Sequence, residues 1–384
     1  MSESLRVPIK KEIWLWAIEE SQQNKEDILK RFPRINKWIS GKENPTFKQL
    51  EKISNFLRIP FGYMFLENPP EENIMAAEFR TINNKLPKIS KNLKDTIMEM
   101  DKRRNWMSDY RKNLGWNKLS VISEFNKHKT NNINTNARLA KNLINLKEHW
   151  YETVRSLPDA FNLLRRKLED AGILVMQSGI VGNKTRRKLD INEFRAFMLY
   201  DEVSPLIFIN SNDTRAGKIF SLIHEYIHVL YEQEDIYLDT TETTIINEQD
   251  INRLTAEFLI PEKHLRLLWN IEQEPITQTK NLGEFFKVSS LALAIKLKDL
   301  TLINSTVLET IKNKSFSDFE KRGTRASKEI SFYNVFKSRV GPVFTQAVIR
   351  SAEAGDLGYA NAFRLLGIRG KTYDRLKEEV FPYE

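Results

Sequence analysis

His224-Glu225-Tyr226-Ile227-His228 places two imidazoles and a carboxylate in the pattern H-E-x-x-H, inside the apolar run from Ile219 to Tyr231. On a helix, residues four apart lie on one face, so both imidazoles can reach a single metal ion. Glu225 follows the first His directly and can take a proton from a water beside that metal. The chain holds five His in all and no Cys. Disulfides, Cys-ligated zinc and Cys nucleophiles are therefore excluded, and any zinc must be held by His and carboxylate.

Two His leave a catalytic zinc one protein ligand short, because such sites carry three ligands and an open position. The third is expected from a second helix, read over residues 245–261 and returning against the first. Glu248 lies twenty residues beyond His228, and Glu248 and Asn252 share a helix face. Glu248 would bind the metal, while Asn252 would hydrogen-bond a ligand His from behind. Asp250 is the rival third ligand, favoured if the helix were rotated. His264 is a weaker alternative for the third ligand: beyond Pro261, with Lys263 and Arg266, it reads as surface.

The elements that must position these groups are legible upstream. Residues 160–171 carry Phe161, Leu164 and Leu168 on one side of a helix closed by Gly172. Strands are expected over residues 173–177, 194–200 and 206–210, with Ser204-Pro205 turning between the last two. Asn210-Ser211-Asn212-Asp213 then opens the H-E-x-x-H helix over residues 215–231. A small sheet beside such a helix could align an extended peptide over the metal.

The first seventy residues alternate short amphipathic helices with turn signals. Helices are expected over residues 11–22, 25–31 (capped by Asn24), 34–40 (ended by Gly41) and from Pro45-Thr46 onward, before a last turn after Pro60. A short basic helix after a tight turn suits a helix-turn-helix, in which it would enter a major groove about 12 Å wide. Arg34, Asn36, Lys37 and Lys42 are the side chains expected to face DNA. Pro69-Pro70-Glu71-Glu72 looks like a linker.

Charge and composition set the wider bounds. A chain of 384 residues is long enough for two or three domains, and its formal net charge of +9 favours a polyanionic partner. Part of that excess is local: over residues 83–118 Lys and Arg outnumber Asp and Glu by ten to four. A solvated helix face and a nucleic-acid contact account for that run equally well. Trp106, Tyr110, Trp116 and Trp150, scattered nearby, read as core more readily than as base-stacking platforms. Asn131-Asn132-Ile133-Asn134-Thr135-Asn136 reads as a loop. The polar N-terminus has no signal-peptide core and no apolar run reaches spanning length, so a cytoplasmic protein with no membrane contact is expected.

Trp38-x-x-Gly41-x-x-x-Pro45-Thr46, Leu50-Glu51-Lys52-Ile53 and Leu57-Arg58-Ile59-Pro60 resemble the XRE (phage repressor-like) helix-turn-helix family. The later motifs resemble the ImmA/IrrE-type metallopeptidases: Ala77-Glu78-Phe79-Arg80-Thr81, Glu193-Phe194-Arg195-Ala196-Phe197, Ile209-Asn210-Ser211-Asn212-Asp213, the stretch from Phe220 to His228, Glu248-x-x-Ile251-Asn252 and Ala256-Glu257-Phe258-Leu259-Ile260-Pro261. Ser331-Phe332-Tyr333, Val340-Gly341-Pro342-Val343-Phe344 and the stretch from Gly355 to Ala362 resemble the helical tail of the longer members. Ile227 stands where that family usually has Gly, and Ile251 where it has Ala, so bulk at both positions bears on how the metal-bearing helices pack.

The resemblance implies an α+β, mostly helical chain in four parts. These are a five-helix helix-turn-helix bundle (1–70), a basic helical connector (71–157), a zincin-like metallopeptidase domain (158–270) and a helical C-terminal region (271–384). It implies Zn2+ on His224 and His228 with Glu225 as general base. It also implies a repressor- or antitoxin-like protein substrate in a mobile-element, phage-defence or stress response, and double-stranded DNA as the partner of the first domain. A homodimer would suit a palindromic operator. The alternative is a DNA-binding transcriptional regulator whose peptidase-like domain senses a metal, peptide or partner without turnover.

Overall fold

A computed structural model of the chain describes residues 5–70, 78–79, 89–233, 247–322, 336 and 338–380. Several sequence expectations lie outside the described residues: Glu71-Glu72 of the linker, Ala77 and Arg80-Thr81, residues 83–88 of the basic run, Ile245-Ile246 and Ser331-Phe332-Tyr333. The chain divides into two compact units, residues 1–75 with 88–95, and residues 76–87 with 96–384. Among the described residues no helix is long and apolar enough to cross a membrane.

The first unit holds α1 (Lys11–Ser21), α2 (Lys25–Arg31), α3 (Ile35–Ile39) and α4 (Phe47–Leu57), followed by a 3-10 turn over Phe61–Phe65. Asn24 caps α2 by accepting from the Glu26 amide, and Thr46 with Gln49 forms a reciprocal capping box on α4. The core is small: Ile13, Trp14, Ile28, Ile35, Trp38, Leu50, Ile53 and Leu57 are buried together, with the Trp14 and Trp38 rings stacked at 6.1 Å. Two expectations need correction. The fifth helix is a single 3-10 turn, closed by i→i+3 bonds from Tyr63 N to Pro60 O and Leu66 N to Tyr63 O. The third helix is shorter than residues 34–40, because Arg34 and Ser40 are its caps.

α5 (Lys91–Asn113) begins among the residues grouped with the first unit and ends in the second, which continues with α6 (Ser120–His128) and α7 (Ile133–Leu143), a 3-10 turn at Trp150–Glu152, and α8 (Leu157–Asp170). The expected loop at 131–136 is therefore the start of α7. Its Asn residues are a cap and an anchor: Asn132 accepts from the Thr135 amide, and buried Asn136 donates to Thr130 O and Tyr231 Oη. The basic run is also partly structural. Buried Arg103, Arg104 and Arg111 donate to the carbonyls of Leu365, Tyr200 and Gly172, the last at 2.6 Å. Burial pushes the Arg111 guanidinium down to about 10. Of the aromatics nearby, Trp150 is fully buried, Trp106 stacks on Tyr110 and meets Phe344, and Trp116 lies half-exposed beneath Arg111.

A four-stranded sheet follows in the order β1-β3-β4-β2, built from β1 (Glu78–Phe79), β2 (Leu174–Ser178), β3 (Ala196–Leu199) and β4 (Leu206–Asn210). β3 pairs antiparallel with β1 and β4, with Phe197 opposite Phe79 and Phe208. β2 pairs parallel with β4, Leu174 opposite Leu206. β3 and β4 are buried along their whole length, so they read as continuous apolar runs and not as alternating strands.

β4 runs into α9 (Arg215–Tyr231) through a tightly bonded corner. Asp213 accepts from Arg195 at 2.8 Å and from the Thr214 amide, and Thr214 caps α9 by accepting from the Gly217 amide. A Cβ on Gly217 would lie 2.5 Å from Asp213 Oδ2, so this corner requires glycine. α9 packs against α6, α8, β3, β4 and α10 (Glu248–Leu259). The chain continues as α11 (Glu262–Leu268), α12 (Pro275–Phe286), α13 (Ser290–Asp299), α14 (Ser305–Arg322), α15 (Pro342–Glu353), α16 (Tyr359–Leu366) and α17 (Gly370–Val380). One apolar core extends from Leu119 to Ile311, so the positions 157 and 270 read as boundaries both fall within it.

Candidate metal centre

α9 is enclosed on nearly every side: His224, Glu225 and His228 are only 1%, 1% and 4% exposed. Helical period brings the two imidazoles together, with His224 Nε2 3.1 Å from His228 Nε2. The C-terminus of α9 is held at Glu232, a non-glycine residue at φ +55°. Lys118, Asn126 and Tyr200 all bond the Glu232 carboxylate, which secures this left-handed position. Immediately after it, Gln233 Oε1 lies 3.2 Å from His228 Nδ1. A proton on Nδ1 donated to that oxygen leaves the Nε2 lone pair free to bind a metal.

Glu248 is the first residue of α10, whose N-terminus is capped by Asn247 accepting from the Asp250 amide. Its carboxylate spans both rings, Oε1 3.3 Å from His224 Nε2 and Oε2 3.5 Å from His228 Nε2. The expected third donor is thus brought to the pair. Asp250 is turned away: its carboxylate accepts from Asn247 Nδ2 and pairs with Arg253. Asn252 bonds Glu248 and not the His expected. Its amide donates to Glu248 O at 2.8 Å and Oε1 at 3.0 Å, because i−4 on its own helix is nearer than either His.

These donors suit a zinc-class ion. Ligands 2.0–2.2 Å from a tetrahedral centre stand about 3.3–3.6 Å from one another. The nitrogen–nitrogen separation of 3.1 Å and the nitrogen–oxygen separations of 3.3 Å to Oε1 and 3.5 Å to Oε2 are near that spacing, with the carboxylate facing the pair through both oxygens. Glu248 is 54% exposed, so the open side of the cluster faces water. Ile227 and Ile251, the two bulky departures, are wholly buried in the common core, and the donors converge despite them.

In the first unit, Arg34, Asn36, Lys37 and Lys42 are all exposed. Sequence reasoning missed Glu43, which pairs with Lys37 at 2.9 Å and Arg34 at 3.7 Å. The hydrogen bond from Lys37 holds the Glu43 carboxyl below the usual range. Gln233 was missed as well, since its contact with His228 depends on how the chain leaves α9. His264 departs from its surface reading: its side chain is only 16% exposed and lies with His149 and Glu152 in a second group of convergent donors. Burial, and then the neighbouring His149, hold the His264 imidazolium below the ordinary histidine range.

No curated protein and no solved structure matches the chain. Residues 340–379, covering α15 to α17, match the model of a domain of unknown function. Residues 168–298, from the last turn of α8 through α13 and including all three convergent donors and Glu225, match a peptidase family model described as an IrrE N-terminal-like domain.

Proposed function

We propose that residues 168–298 form a zinc-dependent endopeptidase in which His224, His228 and Glu248 hold the metal and Glu225 is the general base. The observation that carries this reading is the convergence of the three donors from two packed helices, with Glu225 one residue along the same buried turn. A bound zinc ion supplies Lewis acidity toward a peptide carbonyl. Glu225 takes the proton of the attacking water and returns it to the leaving amine. Asn252 and Gln233 orient Glu248 and His228. The first unit is an XRE-type helix-turn-helix that brings the peptidase to double-stranded DNA, with a repressor- or antitoxin-like protein as the substrate in a mobile-element, phage-defence or stress response. The four exposed side chains Arg34, Asn36, Lys37 and Lys42 on and around a short helix support that part.

The test is cleavage of co-expressed repressor and antitoxin candidates, read by mass spectrometry for wild type and Glu225→Gln. Cleavage falls by about 10²–10⁴ in the variant while its zinc content is unchanged. Equal cleavage by both proteins overturns the catalytic role. Zinc retention with no cleavage by either favours the sensing regulator. For the DNA arm, mobility shifts of the protein's own promoter fragment weaken steeply with salt, and Arg34→Ala weakens them further.

A further inference from the structure

Four of the five His form two pairs, and the second pair has no role in the reading above. His149 precedes the 3-10 turn that carries Tyr151 and Glu152, and His264 lies on α11, 115 residues away in sequence. Both rings turn Nδ1 toward one point. The two nitrogens are 2.9 Å apart, and Tyr151 Oη lies 3.1 Å from one and 2.7 Å from the other. Glu152 Oε1 is 3.6 Å from His149 Nδ1 and 3.9 Å from His264 Nε2.

Hydrogen bonding alone accounts poorly for this triangle. His149 Nδ1–H can donate to Tyr151 Oη, and Tyr151 O–H to His264 Nδ1, which uses the single lone pair of that nitrogen. The short nitrogen–nitrogen edge is left with no proton of its own. A cation at the common point satisfies all three atoms together. Two imidazoles, a phenol and one carboxylate match a borderline divalent ion of the zinc class, being too rich in nitrogen for calcium or magnesium. The triangle is tighter than the roughly 3.3–3.6 Å between ligands on a tetrahedral ion; a swing of the half-exposed His149 opens its two edges, and the 2.7 Å Tyr151–His264 edge must widen by a further ~0.6 Å as the ion enters.

The surroundings are built for holding and for entry. Tyr151 and His264 pack against Phe285 and Phe286 at ring separations of 4.9 to 5.8 Å, which fixes two of the donors. His149 and Glu152 are 48% and 49% exposed and leave a path from solvent. The peptidase family match over residues 168–298 takes in His264 but not His149 or Glu152, so the site lies partly outside that domain. We propose that His149, Tyr151, Glu152 and His264 form a second, structural site for a zinc-class divalent ion, stapling the 3-10 turn before α8 to α11. The site is independent of the peptidase reading.

The test uses the full chain stripped by chelator and titrated with zinc alone. Wild type binds two equivalents and His149→Ala binds one. A His224→Ala/His228→Ala variant also retains one, with a rise in melting midpoint on zinc addition that His149→Ala abolishes in that background. Glu152→Gln, at an exposed position that tolerates change, lowers affinity at this second site by about tenfold or more. One equivalent in wild type that His149→Ala leaves unchanged, or two in His149→Ala, overturns the site. So does affinity that is unmoved by both His149→Ala and Glu152→Gln, whether or not the first-pair variant folds.

Discussion

The two His–Glu clusters use the same donor types and are assembled in opposite ways. In the first, both imidazoles sit four residues apart on α9, are almost fully buried, and the carboxylate comes from a capped helix packed alongside. In the second, the donors come from a 3-10 turn and a seven-residue helix, and two of them are half exposed. Helical period fixes the first pair, so its spacing is built in before any tertiary contact forms. The second exists only once distant segments have met. Chemistry that needs donors held to a fraction of an ångström belongs on the first kind of scaffold, and a staple belongs on the second.

The largest expected difference between the clusters is the cost of losing one imidazole. His228→Ala removes one of three donors on a rigid frame, and zinc affinity at the first cluster falls on the order of 10²–10³, a quarter or so of the binding energy of a four-ligand site. His149→Ala removes a half-exposed donor from a site expected to bind more weakly at the outset, so a smaller fold-loss suffices to empty it. Competition against a chromogenic chelator measures both. Equal losses would erase the distinction between a preorganised and an assembled site.

Asn252→Ala is expected to weaken zinc at the first cluster by about 10- to 100-fold through the orientation of Glu248 alone, since Asn252 donates to that carboxylate at 3.0 Å. The same chelator competition checks it, and Asn252→Leu, which keeps the approximate size without charge and loses the donor, gives the same loss. Asn247→Ala acts one step further back. It removes the acceptor for the Asp250 amide at the start of α10 and costs about 1 kcal/mol of stability, read from urea unfolding of the metal-free protein. Zinc should recover most of that loss, because the ion ties the same helix end to α9.

The contrast also explains what the sequence discloses. The convergence of His224, His228 and Glu248 is readable because it depends on helical period and one packed neighbour. α9 and β4 have the bounds their patterns predict, since caps, Pro and continuous apolar runs define them locally. The partner of Asn252 is misread because a bond to its own helix outcompetes a tertiary one. Gln233, Glu43 and the pair His149–His264 carry no spacing signal, as each meets its partner through the path of a loop or the docking of an element. The connector is misread in a further way. Asn132 and Asn136 look like loop residues but cap and anchor α7, and Arg103, Arg104 and Arg111 look like a surface charge run but are themselves buried and bond backbone carbonyls of distant segments. Composition does not distinguish an exposed polar group from one whose partner is a distant backbone carbonyl.

The smallest predicted effect separates packing from donor geometry. Ile251 is wholly buried where α10 meets α7 and α9, one turn from Glu248. Ile251→Val deletes one methyl group and leaves a small cavity, costing about 0.5–1.5 kcal/mol in urea unfolding. If cap and helical period alone hold Glu248 against the His pair, zinc affinity stays within about twofold of wild type, because the backbone of α10 does not shift. A fall in zinc affinity in step with stability would mean that the donors are held by core packing, as at the second cluster. The two sites would then differ in burial alone, and the bulk of Ile251 would itself help set the position of Glu248.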